Sequence, residues 1–154
     1  MNIILNVLLP LTLLATPFII VFLVLKRKKS ANTAYKFAVG LALVAAFLII
    51  WMNLAVGIIG DSDDPANLMY VGVLAVGAVG ALIARFEPVG MVRALFATAL
   101  AQALVAVVAL VAGMLPFIGL IVVNLFFVAL FTASALLFRQ AAQQQTPEGA
   151  ALES

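Results

Sequence analysis

Three carboxylates stand close together in the chain, at Asp61, Asp63 and Asp64. Clustered carboxylates can bind Ca²⁺, which takes about six to eight oxygen ligands. The spacing differs from that of an EF-hand loop, because Pro65 stands at the fifth position, where a ligand is needed. A helix start explains these residues better, since Asp64 suits an N-cap and Pro65 the first helical position. The aspartates are therefore a weak candidate for a cation site, and an acidic loop is the favoured interpretation.

Side-chain amides inside apolar segments form a second candidate site. Asn53, Gln102 and Asn124 each lie within a long apolar run. At about 1.5 Å per residue, all three fall in the same half of a helical bundle. An amide that faces hydrocarbon without a partner costs several kcal/mol, so we expect all three to point inward. They would line a polar cavity for a small uncharged ligand or, as we favour, hydrogen-bond one another, backbone carbonyls, Thr98 or Thr132.

Small residues recur at a spacing of four in the third apolar segment, as Gly77 with Ala81 and Gly80 with Ala84. Such pairs allow two helix backbones to approach closely. The pattern predicts a packing face, either within one chain or between chains. The small residues that we expect at helix contacts are Gly57, Gly77, Gly80, Ala81 and Ala84.

Several kinds of chemistry have no residues to support them. The chain contains no cysteine and no histidine. Transition-metal and iron–sulfur centres are held mainly by these two residues, and common nucleophile–base pairs need them. No nucleotide-binding loop is present. Apart from Arg93 at the edge of the fourth segment, no ionisable residue lies within the apolar segments, where proton relays would need one. The sequence thus predicts a protein that is not an enzyme, has no cofactor and does not bind nucleic acid.

Composition indicates what surrounds these residues. Of the 154 residues, 67% are hydrophobic and only 9% are charged. A soluble domain carries roughly 25% charged residues, so this chain suits lipid better than water. A run of about 20 apolar residues crosses the hydrocarbon core, and Trp51, Tyr35 and Tyr70 are expected near the interfaces. Five segments qualify as crossings: residues 3–25, 37–59, 66–84, 92–112 and 117–138.

The basic residues predict the orientation. With five crossings, the first–second connection, the third–fourth connection and the tail lie on one side, which the positive-inside rule makes the cytoplasm. Four or six crossings would divide the basic residues between the two sides. The N-terminus is then outside and the C-terminus cytoplasmic. The cluster at residues 26–29 could also attract anionic lipid, although topology explains it better. All eight basic residues lie in or beside the first–second connection, the third–fourth connection or the tail: Lys26, Arg27, Lys28, Lys29, Lys36, Arg85, Arg93 and Arg139.

Three parts follow from this arrangement. Residues 1–29 form a transmembrane anchor with a basic cytoplasmic end. We expect it to be retained instead of cleaved as a signal peptide, because its basic cluster follows the apolar run. Residues 36–139 form a four-helix transmembrane core rich in Ala and Gly. Residues 140–154 are polar, without apolar periodicity, and are expected to form a flexible cytoplasmic tail.

Three stretches, at residues 53–60, 64–70 and 80–86, resemble small bacterial multi-spanning proteins described as hypothetical membrane proteins. The resemblance covers roughly the second to the fifth segment. It implies a bacterial inner-membrane location and brings no activity with it.

Together these observations predict an all-α integral membrane bundle of five helices. The first functional hypothesis is a non-catalytic accessory or structural protein. Its partners would be membrane lipid, further copies of itself or a larger membrane complex. The alternative is an oligomeric passive channel or carrier for a small uncharged solute.

Overall fold

The computed structural model describes residues 32–55, 65–113 and 118–146, and five residues of the N-terminal segment. The chain divides into two compact units, residues 1–31 and residues 32–154. In the first unit the five described residues are helical, exposed and spaced by three or four positions: Thr12, Ala15, Ile19, Leu23 and Lys26. The remainder of the predicted first crossing lies outside the described residues.

The second unit contains four long helices within its described residues. They are α1 (Thr33–Ala55), α2 (Leu68–Ile83), α3 (Pro88–Val111) and α4 (Ile118–Gln144). A single 3₁₀ turn, Pro65–Asn67, leads directly into α2. All four helices, α2 together with its leading 3₁₀ turn, are long and apolar enough to cross a membrane, and the described part of the chain contains no strand. The protein is therefore all-helical, with the features of a multi-pass membrane protein.

Local capping sets where two of these helices begin. The Oδ1 atom of Asn32 accepts a hydrogen bond of 2.9 Å from the backbone N–H of Tyr35, which caps the start of α1. Pro88 stands at the start of α3, after Glu87 in an extended conformation. Proline is favoured there because its missing N–H would have no helical partner.

The helices extend further at one end than hydropathy alone predicts. Sequence-based boundaries were placed where an apolar run met a charge, but helical hydrogen bonding continues past a charged side chain. As a result Lys36 and Arg139, which lie outside the predicted segments, are inside α1 and α4, and α3 begins at Pro88, four residues before the predicted start. The expected flexible tail is also helical as far as Gln144, since Ala and Gln are good helix formers and Ala141 is buried.

The four helices pack in the spatial order α1, α4, α3, α2. Two hydrogen bonds bring together the start of α1, the α2–α3 turn and the end of α4. The Tyr35 hydroxyl donates to the Phe86 carbonyl at 2.8 Å, and Asn32 Nδ2 donates to the Ala141 carbonyl at 3.0 Å. We call this the basic end, because Lys36, Arg85, Arg93 and Arg139 all lie near it.

The contact between α1 and α4 is built on aromatic and small residues. Tyr35 is fully buried, and its ring meets that of Phe138 edge to face with centroids 5.2 Å apart. Ser134 is also buried and donates to the Ala38 carbonyl at 2.7 Å. Tyr35 therefore does not expose its ring to lipid as an anchoring residue would: the ring fills the helix contact while the hydroxyl satisfies a turn carbonyl.

The contact between α2 and α3 is built on small residues. A Cβ atom added at Gly80 would lie 2.9 Å from Ala94 Cβ, and one added at Gly77 would lie 3.1 Å from Thr98 Oγ1. One added at Gly90 would lie 2.7 Å from Ala84 Cβ. The predicted small-residue face of the third segment therefore packs within the chain, against α3. Ala81 is half-buried on α2, and Gly57 lies outside the described residues.

Candidate functional site

The most deeply buried polar side chains come from three different helices. Tyr70 lies in the first turn of α2, Gln102 in the middle of α3 and Asn124 in the second turn of α4. Each is at most 1% exposed. The antiparallel packing of α2 on α3 and of α3 on α4 brings them to one level, in the half of the unit away from the basic end.

One amide oxygen joins these three side chains. Asn124 Oδ1 accepts a hydrogen bond of 3.0 Å from the Tyr70 hydroxyl and another of 2.9 Å from Gln102 Nε2. A carbonyl oxygen has two lone pairs, so these two donors saturate it. We call Tyr70, Gln102 and Asn124 the amide cluster. It links α2, α3 and α4 through polar contacts in a largely apolar interior.

The amide cluster leaves one acceptor unused. Gln102 Oε1 is buried and has no hydrogen-bond partner among the described residues. A buried carbonyl without a donor loses the hydration that it would have in water. This oxygen is the point of the cluster at which a water molecule or a small donor could bind.

Asn53 does not join the cluster, although it belongs to the same predicted set. It is half-buried near the end of α1, and its Nδ2 donates to the Ile49 carbonyl of its own helix at 2.9 Å. Its Oδ1 atom has no hydrogen-bond partner within the described residues. The bond to Ile49 spans one turn, so it satisfies one N–H of the amide without linking two helices.

Thr98 and Thr132, the other residues predicted to make polar contacts between helices, differ in burial. Thr98 is buried on α3 and donates to the Ala94 carbonyl, one turn earlier, at 2.8 Å. The Thr98 side chain also packs closely against Gly77, since a Cβ atom added at Gly77 would lie 3.1 Å from Thr98 Oγ1. Thr132 is half-buried on α4.

Sequence reasoning missed Tyr70, which it placed at a membrane interface. The structure shows a different role for Tyr70, whose side chain is buried between helices and donates to Asn124. A signal was present: Tyr70, Val73, Gly77 and Gly80 follow one another at spacings of three, four and three, which place them on one helix face. Ser134 was missed as well, and its bond to a backbone carbonyl has no comparable signal in the sequence.

The weak cation candidates Asp61, Asp63 and Asp64 lie outside the described residues. Across the ranges that the structure does describe, no group of three acidic, histidine or cysteine residues could hold a metal ion. The amide cluster itself consists of neutral groups. An amide oxygen is a poor base, so the cluster is suited to hydrogen bonding and not to proton transfer.

No protein-family model, no curated protein and no solved structure matches this chain.

Proposed function

We propose that this chain is a non-catalytic integral membrane protein that acts by packing laterally against further copies of itself or against a larger membrane complex. The observation that carries the proposal is the use of the buried polar groups. Tyr70, Gln102 and Asn124 bond one another, and Ser134 bonds α1, so these groups hold the unit together. Little polar chemistry is left for a substrate.

The outer surfaces of the helices support the same proposal. Large apolar side chains are exposed along them, including Trp51 on α1 and Val79 on α2, each more than half exposed. Because α1 and α2 stand at the two ends of the row, each packs mainly against one neighbouring helix. Such faces are stable against lipid and equally able to receive another transmembrane helix.

We further propose a location in a bacterial inner membrane, with five crossings and the N-terminus outside. The basic end would then face the cytoplasm, as the positive-inside rule predicts. Within the described residues, this end carries Lys36, Arg85, Arg93 and Arg139 against a single acid, Glu87.

Photo-crosslinking in native membranes tests the packing role. A photoreactive amino acid at the exposed Val79 should give one discrete protein adduct, identified by mass spectrometry as a second copy or a defined partner. The buried Val73, 1% exposed on the same helix, is the matched control and should give no intermolecular adduct. If Val79 and Trp51 positions both yield lipid adducts alone, the protein does not act by lateral packing and the proposal is rejected.

A second candidate is a passive channel or carrier for a small uncharged solute. It is favoured by the two buried amide oxygens that lack partners within the described residues, Gln102 Oε1 and Asn53 Oδ1. Proteoliposomes should then swell in urea or glycerol faster than empty liposomes, and Gln102→Leu should remove the difference. Equal swelling rates with and without the protein would eliminate this candidate.

A further inference from the structure

An open cleft lies between α3 and α4 at the basic end. Its volume is about 370 Å³, and its polar lining consists of Arg93, Arg139, Gln143 and Thr146. Arg93 stands five positions after Pro88, where α3 begins, and Arg139 stands five positions before Gln144, where α4 ends. At about 1.5 Å per residue both arginines are roughly 7.5 Å from their helix ends, so they lie at similar depth in antiparallel helices.

The charge of this cleft is uncompensated by its own lining. Both arginines are exposed, and no carboxylate is among the residues that line the cleft. Within the described ranges, Glu87 is the single acid, and it lies outside the cleft. Two guanidinium groups around one concave surface suit a phosphate, because the fork of N–H donors matches phosphate oxygens.

The rest of the lining is apolar and indicates what else the ligand carries. Val89, Val92 and Ala142 form this part of the wall. A free phosphate ion would gain nothing from apolar contact, whereas the glycerol and upper acyl chain of a lipid would bury surface there. Gln143 adds amide groups that can bond headgroup hydroxyls.

We propose that this cleft binds the phosphate headgroup of an anionic glycerophospholipid. The proposal does not rest on the basic cluster at residues 26–29, and it is independent of the proposed lateral packing. Basic pockets between transmembrane helices are a general means of holding anionic headgroups. Bound lipid would bridge α3 and α4 at the level where both helices leave the hydrocarbon.

Native mass spectrometry of the full chain in detergent tests the site. With added phosphatidylglycerol the wild-type protein should retain one lipid, and with phosphatidylcholine it should retain far less. Replacing both Arg93 and Arg139 by Gln should weaken phosphatidylglycerol binding by about 30-fold, or about fivefold for each charge, which corresponds to ~1 kcal/mol per basic residue. Lys36→Gln removes one charge from the same end outside the cleft and should change binding less than twofold.

Three results would each overturn the site. The first is equal retention of phosphatidylcholine and phosphatidylglycerol by the wild-type protein, a comparison that needs no variant. The double variant could bind as tightly as the wild type, or Lys36→Gln could weaken binding as much as one cleft arginine does, which would mean a diffuse charge effect. A further arm adds inorganic phosphate: displacement of the lipid at matched concentration would assign the cleft to free phosphate instead.

Discussion

Asn53 and Asn124 are both asparagines within apolar helices, but their amide groups have different hydrogen-bond partners. Asn124 sits at the junction of three helices and accepts two hydrogen bonds from other helices. Asn53 is half-buried and donates within its own helix. The free-energy cost of losing each amide therefore depends on the neighbouring donors that would be left unpaired, and not on the amide itself.

Asn124→Leu should accordingly destabilise the protein much more than Asn53→Leu. The first change leaves the Tyr70 hydroxyl and Gln102 Nε2 without their acceptor, at about 1–2 kcal/mol for each donor, so the free energy of unfolding should fall by about 2–4 kcal/mol. The second change leaves only the Ile49 carbonyl, which keeps its own helical bond, and should cost less than about 0.5 kcal/mol. Equal losses in detergent unfolding experiments would contradict the assignment of the amide cluster.

Two residues of the α2–α3 turn have left-handed backbone conformations. Arg85 has a φ of 50° and Phe86 a φ of 57°. The bonds from Arg85 N to the Leu82 carbonyl and from Phe86 N to the Ala81 carbonyl form the Schellman pattern, in which glycine usually occupies the position of Arg85. The chain accepts some backbone strain in order to reverse direction within a few residues.

Arg85→Gly should therefore raise the melting temperature in detergent, with a stabilisation of about 0.5–1 kcal/mol, because glycine adopts positive φ without a Cβ clash. Lys36→Gly is the matched comparison. Lys36 is an exposed basic residue in α1, and glycine there should cost about 1 kcal/mol. A melting temperature that falls for Arg85→Gly would show that the turn is not strained at this residue.

At the scale of the helices, the α2–α3 contact depends on backbone proximity. The facing pairs are Gly77 with Thr98, Gly80 with Ala94 and Ala84 with Gly90, in antiparallel register. An added Cβ would clash at Gly80 and Gly90 and would make a tight contact at Gly77, so the whole interface is closely spaced. Lipid chains exert little hydrophobic drive on helix association, so close packing of this kind is what holds such helices together.

Gly80→Ala should destabilise the protein by about 1–3 kcal/mol, because its new methyl group would overlap Ala94. Gly72→Ala is the matched control on the same helix, since a Cβ at Gly72 meets nothing within 4 Å. The second change Ala94→Gly should restore part of the loss in the Gly80→Ala background, because it removes the nearest carbon, at 2.9 Å, and leaves the Ala94 Cα at 3.2 Å. Equal unfolding free energies for the Gly72 and Gly80 variants would contradict this close contact.

At the scale of the whole molecule, charge is distributed unevenly along the helix axes. The basic end collects the start of α1, the α2–α3 turn and the end of α4, which two hydrogen bonds connect. Four basic residues of the described ranges lie near this end, namely Lys36, Arg85, Arg93 and Arg139. Orientation in the membrane should follow from this asymmetry.

Single cysteines test that orientation, because the natural chain contains none and each therefore reports alone. A cysteine at Gln145, exposed just beyond α4, should resist an impermeant thiol reagent in intact cells and react after the cells are opened. A cysteine at Ser62, in the acidic connection, should react in intact cells. The reverse labelling pattern would place the basic end outside the cell and would contradict the proposed cytoplasmic location of the tail.

Hydropathy by itself predicted helices long and apolar enough to cross a membrane, and it predicted where the described helices lie. The second to fifth apolar segments of the sequence correspond to α1, α2, α3 and α4, with ends shifted by a few residues at the basic end. This was possible because the cost of placing a residue in hydrocarbon is a property of that residue and its immediate neighbours. The small-residue spacing on α2 likewise identified a packing face before its partner was known.

Only the tertiary structure decided which of these residues meet. Gln102 and Asn124 bond each other while Asn53 bonds its own helix, and Tyr70 lies buried beside Asn124 instead of exposed on the surface of its helix. Each helix can rotate about its axis with little change in its own hydropathy. Its final rotation is set by close packing and hydrogen bonding with neighbouring helices, which are distant in sequence and therefore invisible to any local pattern.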